Sequence, residues 1–420
     1  MATQSNEKSR KAPKYRQIVL PIKEADYPQF IENQSFAKEQ IALHLGRHPE
    51  LFPPEMLNGY VLNGTTRQSS KQGVRLRQVV AGGQTYRIRP SFVLPYMQAR
   101  TDEVWKGMLL LRYAVPLWVV ALLFGGNPMF WWRLFIGLSG NNLVGVTVKS
   151  RERMPADLLA DEYHTDTRKG EAYIATTVGG GCFLGVDAAQ KADFECLAKA
   201  YGAFKAELHR VFAGFAPRSV NTDGWAATQK AWRSLWKRIA IVECFLHAWL
   251  KVRDRAVAKM EKLFHEASEK VWDCYRAENK RSMSQRLRRL KAWALKNVPE
   301  CPMRENLVKL CQKSRKWLFH LDQPQAHRTS NALDRLMKSM NRHAFYIQEF
   351  HSTLAMTSKN FRAFALIFNF APFCPQLRKE TELFCPSARL NGKIYHENWL
   401  HNLLISASLG GECGHHYNPL

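Results

Sequence analysis

The first regular pattern along the chain is an alternation of apolar and basic residues. It runs through residues 74–80 and 84–89, on either side of a turn at 81–83 that contains two glycines. A period of two is typical of a β-strand that buries one face, and paired glycines favour a tight turn. We therefore predict a small hairpin with one basic face, within an N-terminal accessory region spanning residues 1–100.

After residue 100 the apolar positions recur with a helical period. Three short helices are predicted over residues 101–138, and a glycine-containing turn at 125–128 separates the last two. Three helices with a basic flank, here Arg133, are also what a helix-turn-helix requires. We expect residues 101–150 to form a helix-turn-helix-like region. A helical packing unit around buried tryptophans is the alternative.

The same region contains the longest uncharged stretch of the chain. Residues 113–132 carry no charged side chain over 20 positions, which is long enough to span a membrane. Pro116 and the turn at 125–128 divide the stretch, and Arg112 and Arg133 flank it closely. Two buried helices joined by a turn are therefore the preferred interpretation. The amino terminus has no apolar signal region, so a cytoplasmic location is expected.

From about residue 155 short β-rich runs alternate with helical ones. They predict three strands, a helix, a fourth strand that ends in Asp223, a second helix and a fifth strand. This succession is the order of a ribonuclease-H-like fold. We expect an α/β core of this type, with its first part at 151–250 and its C-terminal part at 326–372.

Between the two parts the pattern is helical and basic. We predict an all-helical insertion over residues 251–325. Residues 251–296 contain 14 Lys and Arg against 6 Asp and Glu. A solvated helix face is the ordinary explanation of such a run, but beside a nuclease core contact with DNA phosphates is the better one. The densest cations are Lys280, Arg281, Arg286, Arg288, Arg289 and Lys291.

Composition agrees with a polyanionic partner. The chain carries 61 Lys and Arg against 36 Asp and Glu, a formal net charge of +25. Such an excess favours nucleic acid or an anionic membrane surface, and charge alone does not choose between them. With 46% hydrophobic residues in 420, the chain can bury a large core.

The cysteines predict no disulfide framework. Nine of them, an odd number, are scattered through the basic chain, which is typical of reduced thiols. The C-terminal tail, residues 373–420, also contains histidines that could join them in a zinc site. Their spacing matches no compact zinc pattern, so zinc is not favoured. The residues concerned are Cys374, Cys385, Cys413, His415 and His416.

Two aspartates occupy equivalent places in the predicted core. Asp161 closes the first short apolar run, and Asp223 ends the fourth strand. The edges of α/β sheets commonly hold the chemistry of the fold. Taken singly, each residue could be a turn or helix-cap aspartate. Together they suit a magnesium site, because Mg²⁺ prefers oxygen ligands and activates oxygen nucleophiles for attack on phosphate.

A third carboxylate lies on a predicted helix that Ser330 could cap. Asp334 shares one face of this helix with Lys338, Asn341 and Arg342, opposite an apolar stripe. Asp334 could bind metal while Lys338 and Arg342 contact DNA phosphate. An ordinary i,i+4 ion pair is the alternative.

Five short segments, in this order along the chain, carry a resemblance to a known family. They are Asp161-Glu162-Tyr163, Thr222-Asp223-Gly224-Trp225, Cys244-Phe245-Leu246-His247, Ser330-Asn331-Ala332-Leu333-Asp334 and Asn360-Phe361-Arg362. Over about residues 155–370 the chain resembles the DDE/D transposases of bacterial insertion sequences, in the branch related to the Mutator-like transposases. A helical insertion between the second and third acids, which are 111 residues apart here, is also a feature of that branch.

The resemblance implies an enzyme that cuts and joins DNA at the terminal inverted repeats of its own element. It implies Mg²⁺ as cofactor, with Mn²⁺ as a substitute, and catalytic and metal-binding roles for Asp161, Asp223 and Asp334. Double-stranded DNA is the expected partner of residues 1–150 and of the basic side chains, Arg362 included. A homodimer or larger assembly on DNA, no membrane and a nucleoid-associated bacterial location are also expected.

The chain departs from the family pattern at the third acid, where the family generally has glutamate. Glu349 is the rival to Asp334, and Glu162 could replace or assist Asp161. Cys244 and His247 are expected beside the site, with His247 near the scissile phosphate or buried and hydrogen-bonded. The alternative function is an inactive or domesticated relative that binds DNA without cleaving it. A membrane-associated helical protein built around 113–132 is a third hypothesis.

Overall fold

The structure is a computed structural model that describes residues 16–70, 72–95, 97–167, 170–256, 260–346 and 353–412. Over these residues the fold is mixed α/β, with two sheets and many helices. The N-terminal sheet contains strands β1 to β4 in the order β1-β4-β3-β2, and helices α1 and α2 follow β1. Their bounds are β1 Gln17–Leu20, α1 Tyr27–Glu32, α2 Gln34–Arg47, β2 Val61–Thr65, β3 Arg77–Ala81 and β4 Gln84–Pro90.

The predicted hairpin is confirmed, but its basic face is not. Strands β3 and β4 pair antiparallel about the two glycines, which both have positive φ. Arg77 is buried, and its guanidinium donates to the backbone carbonyl of Phe30. Arg89 is buried and donates to the carbonyl of Val93, while Arg87 is exposed. Arg77 and Arg89 therefore stabilise the fold through buried hydrogen bonds to backbone carbonyls.

The three predicted helices after residue 100 are confirmed. They are α3 Thr101–Arg112, α4 Leu117–Phe124 and α5 Pro128–Gly137, followed by α6 Leu143–Thr147. Trp131 is buried, and its indole N–H donates to the carbonyl of Gly125 at 3.0 Å. This tryptophan is thus a core residue.

Helix α4 is not the buried helix that we expected. Val120 is its buried residue, whereas Trp118 is 63% exposed and Leu122 74% exposed. In the described part of the chain, no single helix is long and apolar enough to cross a membrane. One helix pair, Leu117–Phe124 with Pro128–Gly140, is long and apolar enough when the two helices are taken together. The pair is bent by 111° at the break between them.

The second sheet has the predicted succession of elements. Its strand order is β7-β6-β5-β8-β9. Strands β5, β6 and β7 form an antiparallel meander, and β8 and β9 extend the sheet parallel to β5. The bounds are β5 Asp157–Thr167, β6 Gly170–Gly179, β7 Cys182–Ala189, α7 Phe194–Val211, β8 Ser219–Thr222, α8 Ala226–Leu235 and β9 Ala240–Glu243.

Alternate residues of β5 enter two different cores. Leu158 and Ala160 pack with α7 and α8, in a core around Trp232. Leu159 points to the opposite face, where it joins a core that includes Phe364 and reaches the N-terminal sheet. This alternation follows from the period of two in a strand, and it leaves both faces of the sheet covered by helices.

The described part of the chain between β9 and residue 322 consists mainly of helices joined by short turns. The helices are α9 Phe245–Arg253, α10 Glu261–Tyr275, α11 Lys280–Asn297, α12 Pro302–Gln312 and α13 Ser314–Asp322, and they bury a core of their own around Trp317. The chain then returns to the sheet. The last helices are α14 Asn331–Tyr346, α15 Leu354–Phe370, α16 Pro375–Thr381, α17 Pro386–Asn391 and α18 Trp399–Ser406.

Candidate active site

The register of two parallel strands brings Asp161 and Asp223 to the same place. Leu159 of β5 pairs with Asn221 of β8, and each aspartate lies two residues further along its strand direction. Residues two apart face the same side of a strand, so both side chains belong to the face that carries Leu159. Strand β5 continues to Thr167, so Asp161 does not end it as we expected, but it lies just beyond the part that pairs with β8.

Asp334 approaches this pair from α14. The serine that precedes the helix, Ser330, donates a hydrogen bond of 3.1 Å to the Asp334 carboxylate, and its carbonyl accepts from the Asp334 N–H at 2.9 Å. About two turns further along α14, the Tyr163 hydroxyl of β5 donates to Asn341 at 3.2 Å. These contacts hold the polar face of α14 against β5, on the side of the sheet to which Asp161 belongs.

The three aspartates interact electrostatically. Burial raises the pKa of Asp161 to about 6, and the charges of Asp223 and Asp334 raise it as well, whereas His247 lowers it. The Asp161 carboxylate accepts the N–H of Glu162 at 2.9 Å, and the Asp223 carboxylate accepts the N–H of Trp225 at 2.8 Å. Three half-buried carboxylates that repel one another form a donor set that a hard cation neutralises.

The donor chemistry fits magnesium, although the side chains are not preassembled around an ion. Among the residues that the structure describes, no three Asp, Glu, His or Cys side chains already stand in a metal-binding arrangement. Magnesium retains several waters and needs few protein carboxylates. Oxygen ligands from Asp161, Asp223 and Asp334 are therefore compatible with its requirements.

Glu162 faces the other side of the sheet. Its Oε1 accepts hydrogen bonds of 2.7 Å from the Tyr201 hydroxyl of α7 and of 2.7 Å from the Thr228 hydroxyl of α8. Burial raises the pKa of Glu162 to about 7, and the charges of Asp161 and Asp223 contribute to the rise. Glu162 is thus close to the aspartates, but its Oε1 is already engaged by two hydroxyl groups.

Cys244 and His247 flank the aspartates at the start of α9. The Cys244 thiol lies 3.4 Å from the Ser330 hydroxyl, which lies 3.5 Å from His247 Nδ1. The hydrogen bond with Cys244 raises the pKa of His247 to about 9, and the charges of Asp161 and Asp223 add to it. Burial alone would raise the pKa of Cys244, but its contacts with His247 and Ser330 lower it overall. The contacts with Cys244 and the nearby carboxylates therefore favour the protonated form of His247.

The predicted DNA contacts fall into two groups. Exposed side chains include Arg133, Lys338 and Arg342, together with four cations of α11. Those four are Arg281, Arg288, Arg289 and Lys291. Two other cations of α11 are paired within the protein, since Lys280 lies 2.5 Å from Asp322 and Arg286 lies 2.9 Å from Asp273.

Arg362 does not belong to a DNA surface. Its guanidinium donates to the backbone carbonyls of Ser139 and Asn141 and forms an ion pair with Glu207. Its side chain is only 14% exposed. The prediction of a phosphate contact is therefore wrong, and Arg362 instead joins α15 to α7 and to the segment after α5.

Four candidate residues lie outside the described part of the chain, and one buried carboxylate was not predicted. Glu349, the rival third acid, lies outside the described part, as do Cys413, His415 and His416. The eight cysteines that the structure describes are all free thiols, as predicted. Glu243, which is not among the predicted site residues, ends β9 and is buried. A carboxylate that ends an apolar strand is the same signal that pointed to Asp223.

No protein-family model matches the sequence, and no curated protein matches it significantly. The transposase resemblance therefore depends on the five segments and on the arrangement of their residues.

Proposed function

We propose that the chain is a DDE/D-type DNA transposase with a ribonuclease-H-like catalytic core. The observation that carries the proposal is the convergence of Asp161, Asp223 and Asp334 from three elements far apart in sequence. The strand order β7-β6-β5-β8-β9, with helices over both faces, supports the fold assignment. The helical region between β9 and α14 is consistent with the insertion of that family.

In this proposal Asp161, Asp223 and Asp334 would hold magnesium, and Mn²⁺ could replace it. When bound, the ions would activate water or a 3′-hydroxyl and stabilise the leaving oxygen. His247 would supply a positive charge beside the carboxylates when protonated and would contact the DNA phosphate. Ser330 orients the Asp334 carboxylate through its hydrogen bond.

DNA is the proposed substrate because exposed cations lie on the helix that carries Asp334 and in the helical region that precedes it. Lys338 and Arg342 lie on α14, one and two turns beyond Asp334, and the exposed cations of α11 lie on the adjacent helical region. Phosphate neutralisation by such residues gives sequence-independent affinity, which decreases with salt. Synapsis of two DNA ends makes a homodimer or a larger assembly the expected functional form.

The proposal is tested with duplex DNA taken from both flanks of the gene, in the presence of Mg²⁺ or Mn²⁺. We expect D161N, D223N and D334N each to lower the rate of strand cleavage by about a thousandfold, the order expected when several kcal/mol of metal stabilisation are lost. DNA binding should persist. The matched control is D166N, an exposed aspartate of the same strand, which should cleave like the wild type.

An inactive DNA-binding relative is the second candidate. It is favoured by the third acid, because Asp334 is shorter than the glutamate of the family and its carboxylate already accepts a hydrogen bond from Ser330. DNA binding without metal-dependent cleavage by the wild-type chain would select this candidate. Retained cleavage in D334N would instead remove Asp334 from the site and direct attention to Glu349.

A further inference from the structure

A buried carboxylate lies directly behind the turn that carries Asp223. Glu243 is 4% exposed and ends β9, where it pairs with Thr222 of β8. Gly224 has a φ of +96°, and a Cβ atom there would stand 2.8 Å from the Glu243 carboxyl carbon. Only a glycine leaves room for this approach, so the position of the Asp223 turn and that of Glu243 are coupled.

Glu243 holds two lysines from the helical region. Lys313, which precedes α13, and Lys316, in its first turn, each form an ion pair with one oxygen of the Glu243 carboxylate. Burial would raise the pKa of Glu243, but these two cations lower it overall, so the group is ionised at neutral pH. Both lysine side chains remain partly open to solvent, at 39% and 49% exposure. They can therefore meet a second anion from the solvent side.

Glu243 and Lys316 line a depression between α8 and α13. It has a volume of about 280 Å³, and its lining includes Arg233 of α8 and Arg315, Lys316 and Phe319 of α13. Arg233 and Arg315 are exposed, and no ion-pair partner for either is found in the described ranges. Arg233, Arg315 and Lys316 thus line the depression around one carboxylate, and Lys313 pairs with the same carboxylate. These four cations against one carboxylate leave an excess of positive charge behind the turn that carries Asp223.

We propose that this depression binds the sugar-phosphate backbone of duplex DNA next to the scissile position. Arg233, Arg315 and the two lysines would contact phosphates, and Glu243 would be a positioning residue that fixes the lysines relative to Asp223. The assignment rests on the proposed transposase function. A purely structural ion triad, which only attaches α13 to the sheet, is the competing explanation.

The first experiment measures how the affinity for duplex DNA depends on salt. The double variant R233Q/R315Q should reduce the slope of log K against log[salt] by about two, because each phosphate contact contributes about 0.9. The matched control is K237Q/R238Q, which removes two exposed cations from the opposite end of β9. A slope equal to that of the control would overturn the inference. If the wild-type chain does not bind duplex DNA at all, the proposed function itself is overturned.

The second experiment separates positioning from attachment. E243Q keeps the size of the side chain but releases the lysines, so we expect DNA affinity to be equal or tighter while kcat for cleavage decreases by about tenfold or more. An attachment role alone would lower Tm and leave kcat unchanged at a temperature where the variant is folded. That result would overturn the positioning role, and K316R, which keeps the charge, should cleave like the wild type.

Discussion

The carboxylate site around Asp161 and the helices α3 to α5 differ in how their side chains are covered. At the carboxylate site, carboxylates and hydroxyls from distant segments are largely buried and interact with one another. On α4, by contrast, large apolar side chains such as Trp118 and Leu122 stand in solvent. Buried polar groups require partners, whereas exposed apolar groups indicate a surface that another molecule can cover. The carboxylates around Asp161 are therefore candidates for catalysis. The exposed face of α4 is a candidate contact surface of apolar rather than basic character.

The largest effect should come from a matched pair of tryptophans in the two regions. Trp232 of α8 is fully buried against α7, with its ring centroid 5.2 Å from that of Tyr201, the partner of Glu162. W232A should lose about 3–5 kcal/mol of unfolding free energy in urea denaturation. W118A, on the exposed face of α4, should stay within about 0.5 kcal/mol of the wild type. Equal losses would show that α4 is covered in solution.

The next effect concerns the turn after Asp223. G224A forces a side chain into a left-handed φ and towards Glu243, so we expect a loss of about 1–3 kcal/mol in unfolding free energy and slower DNA cleavage. The control is G59A, where φ is also positive, at +115°, but no atom lies within 4 Å of the added Cβ. If G59A and G224A cleave DNA equally fast, the contact with Glu243 does not position Asp223.

The third effect is a pH dependence of the unfolding free energy, which arises where α14 packs against α5 and α15. His343 of α14 stacks on Phe364 at 4.4 Å, contacts Phe135 of α5, and hydrogen-bonds to Asn360 at 2.7 Å. Burial lowers the pKa of His343 from 6.5 to about 4. The unfolded chain takes up the proton first, so this contribution to stability is complete above pH 6.5 and disappears as the pH falls towards 4.

The size of this pH effect is about 2 kcal/mol of unfolding free energy between pH 7 and pH 5. Comparison with H343Q isolates it from the other titrating groups, and H265Q, at an exposed position of α10, is the control. An unfolding free energy that changes with pH equally in the wild type and H343Q would contradict the burial of an uncharged imidazole.

The smallest effect is expected on the exposed face of α4. L122Q/L123Q replaces side chains that are 74% and 62% exposed, so the unfolding free energy should change by less than about 0.5 kcal/mol. A loss above 1 kcal/mol in denaturant titrations would mean that these leucines are packed, and the contrast between the two regions would disappear.

The secondary-structure elements could be predicted from the sequence more accurately than the environment of their side chains. The succession from β5 to β9 could be read from periodicity, and the parallel pairing of β5 with β8 then makes Asp161 and Asp223 neighbours. Helix α4 was correctly predicted, but its residues are all apolar, so no polar face in the pattern indicates which side is exposed. When every residue of a helix is apolar, the spacing of apolar residues cannot show which face of the helix is exposed.

The remaining features depend on contacts between distant segments. In the sequence Arg362 is a single basic residue in an apolar helix, and its ion pair with Glu207 of α7 depends on the folded chain. In the sequence Glu243 is only the last residue of a strand, and its ion pairs with Lys313, just before α13, and Lys316, within α13, depend on the folded chain. The position of Asp334 depends on the docking of α14 against β5, which no short segment of sequence encodes.

The central claim, that three aspartates form one metal site, is tested most directly by Mn²⁺ binding to the full chain, followed by electron paramagnetic resonance. We predict that D161N, D223N and D334N each weaken Mn²⁺ binding about tenfold or more, since even the loss of an outer-shell partner of a metal costs 10- to 100-fold. D166N should bind Mn²⁺ like the wild type. Unchanged Mn²⁺ affinity in D161N or D223N would contradict the account.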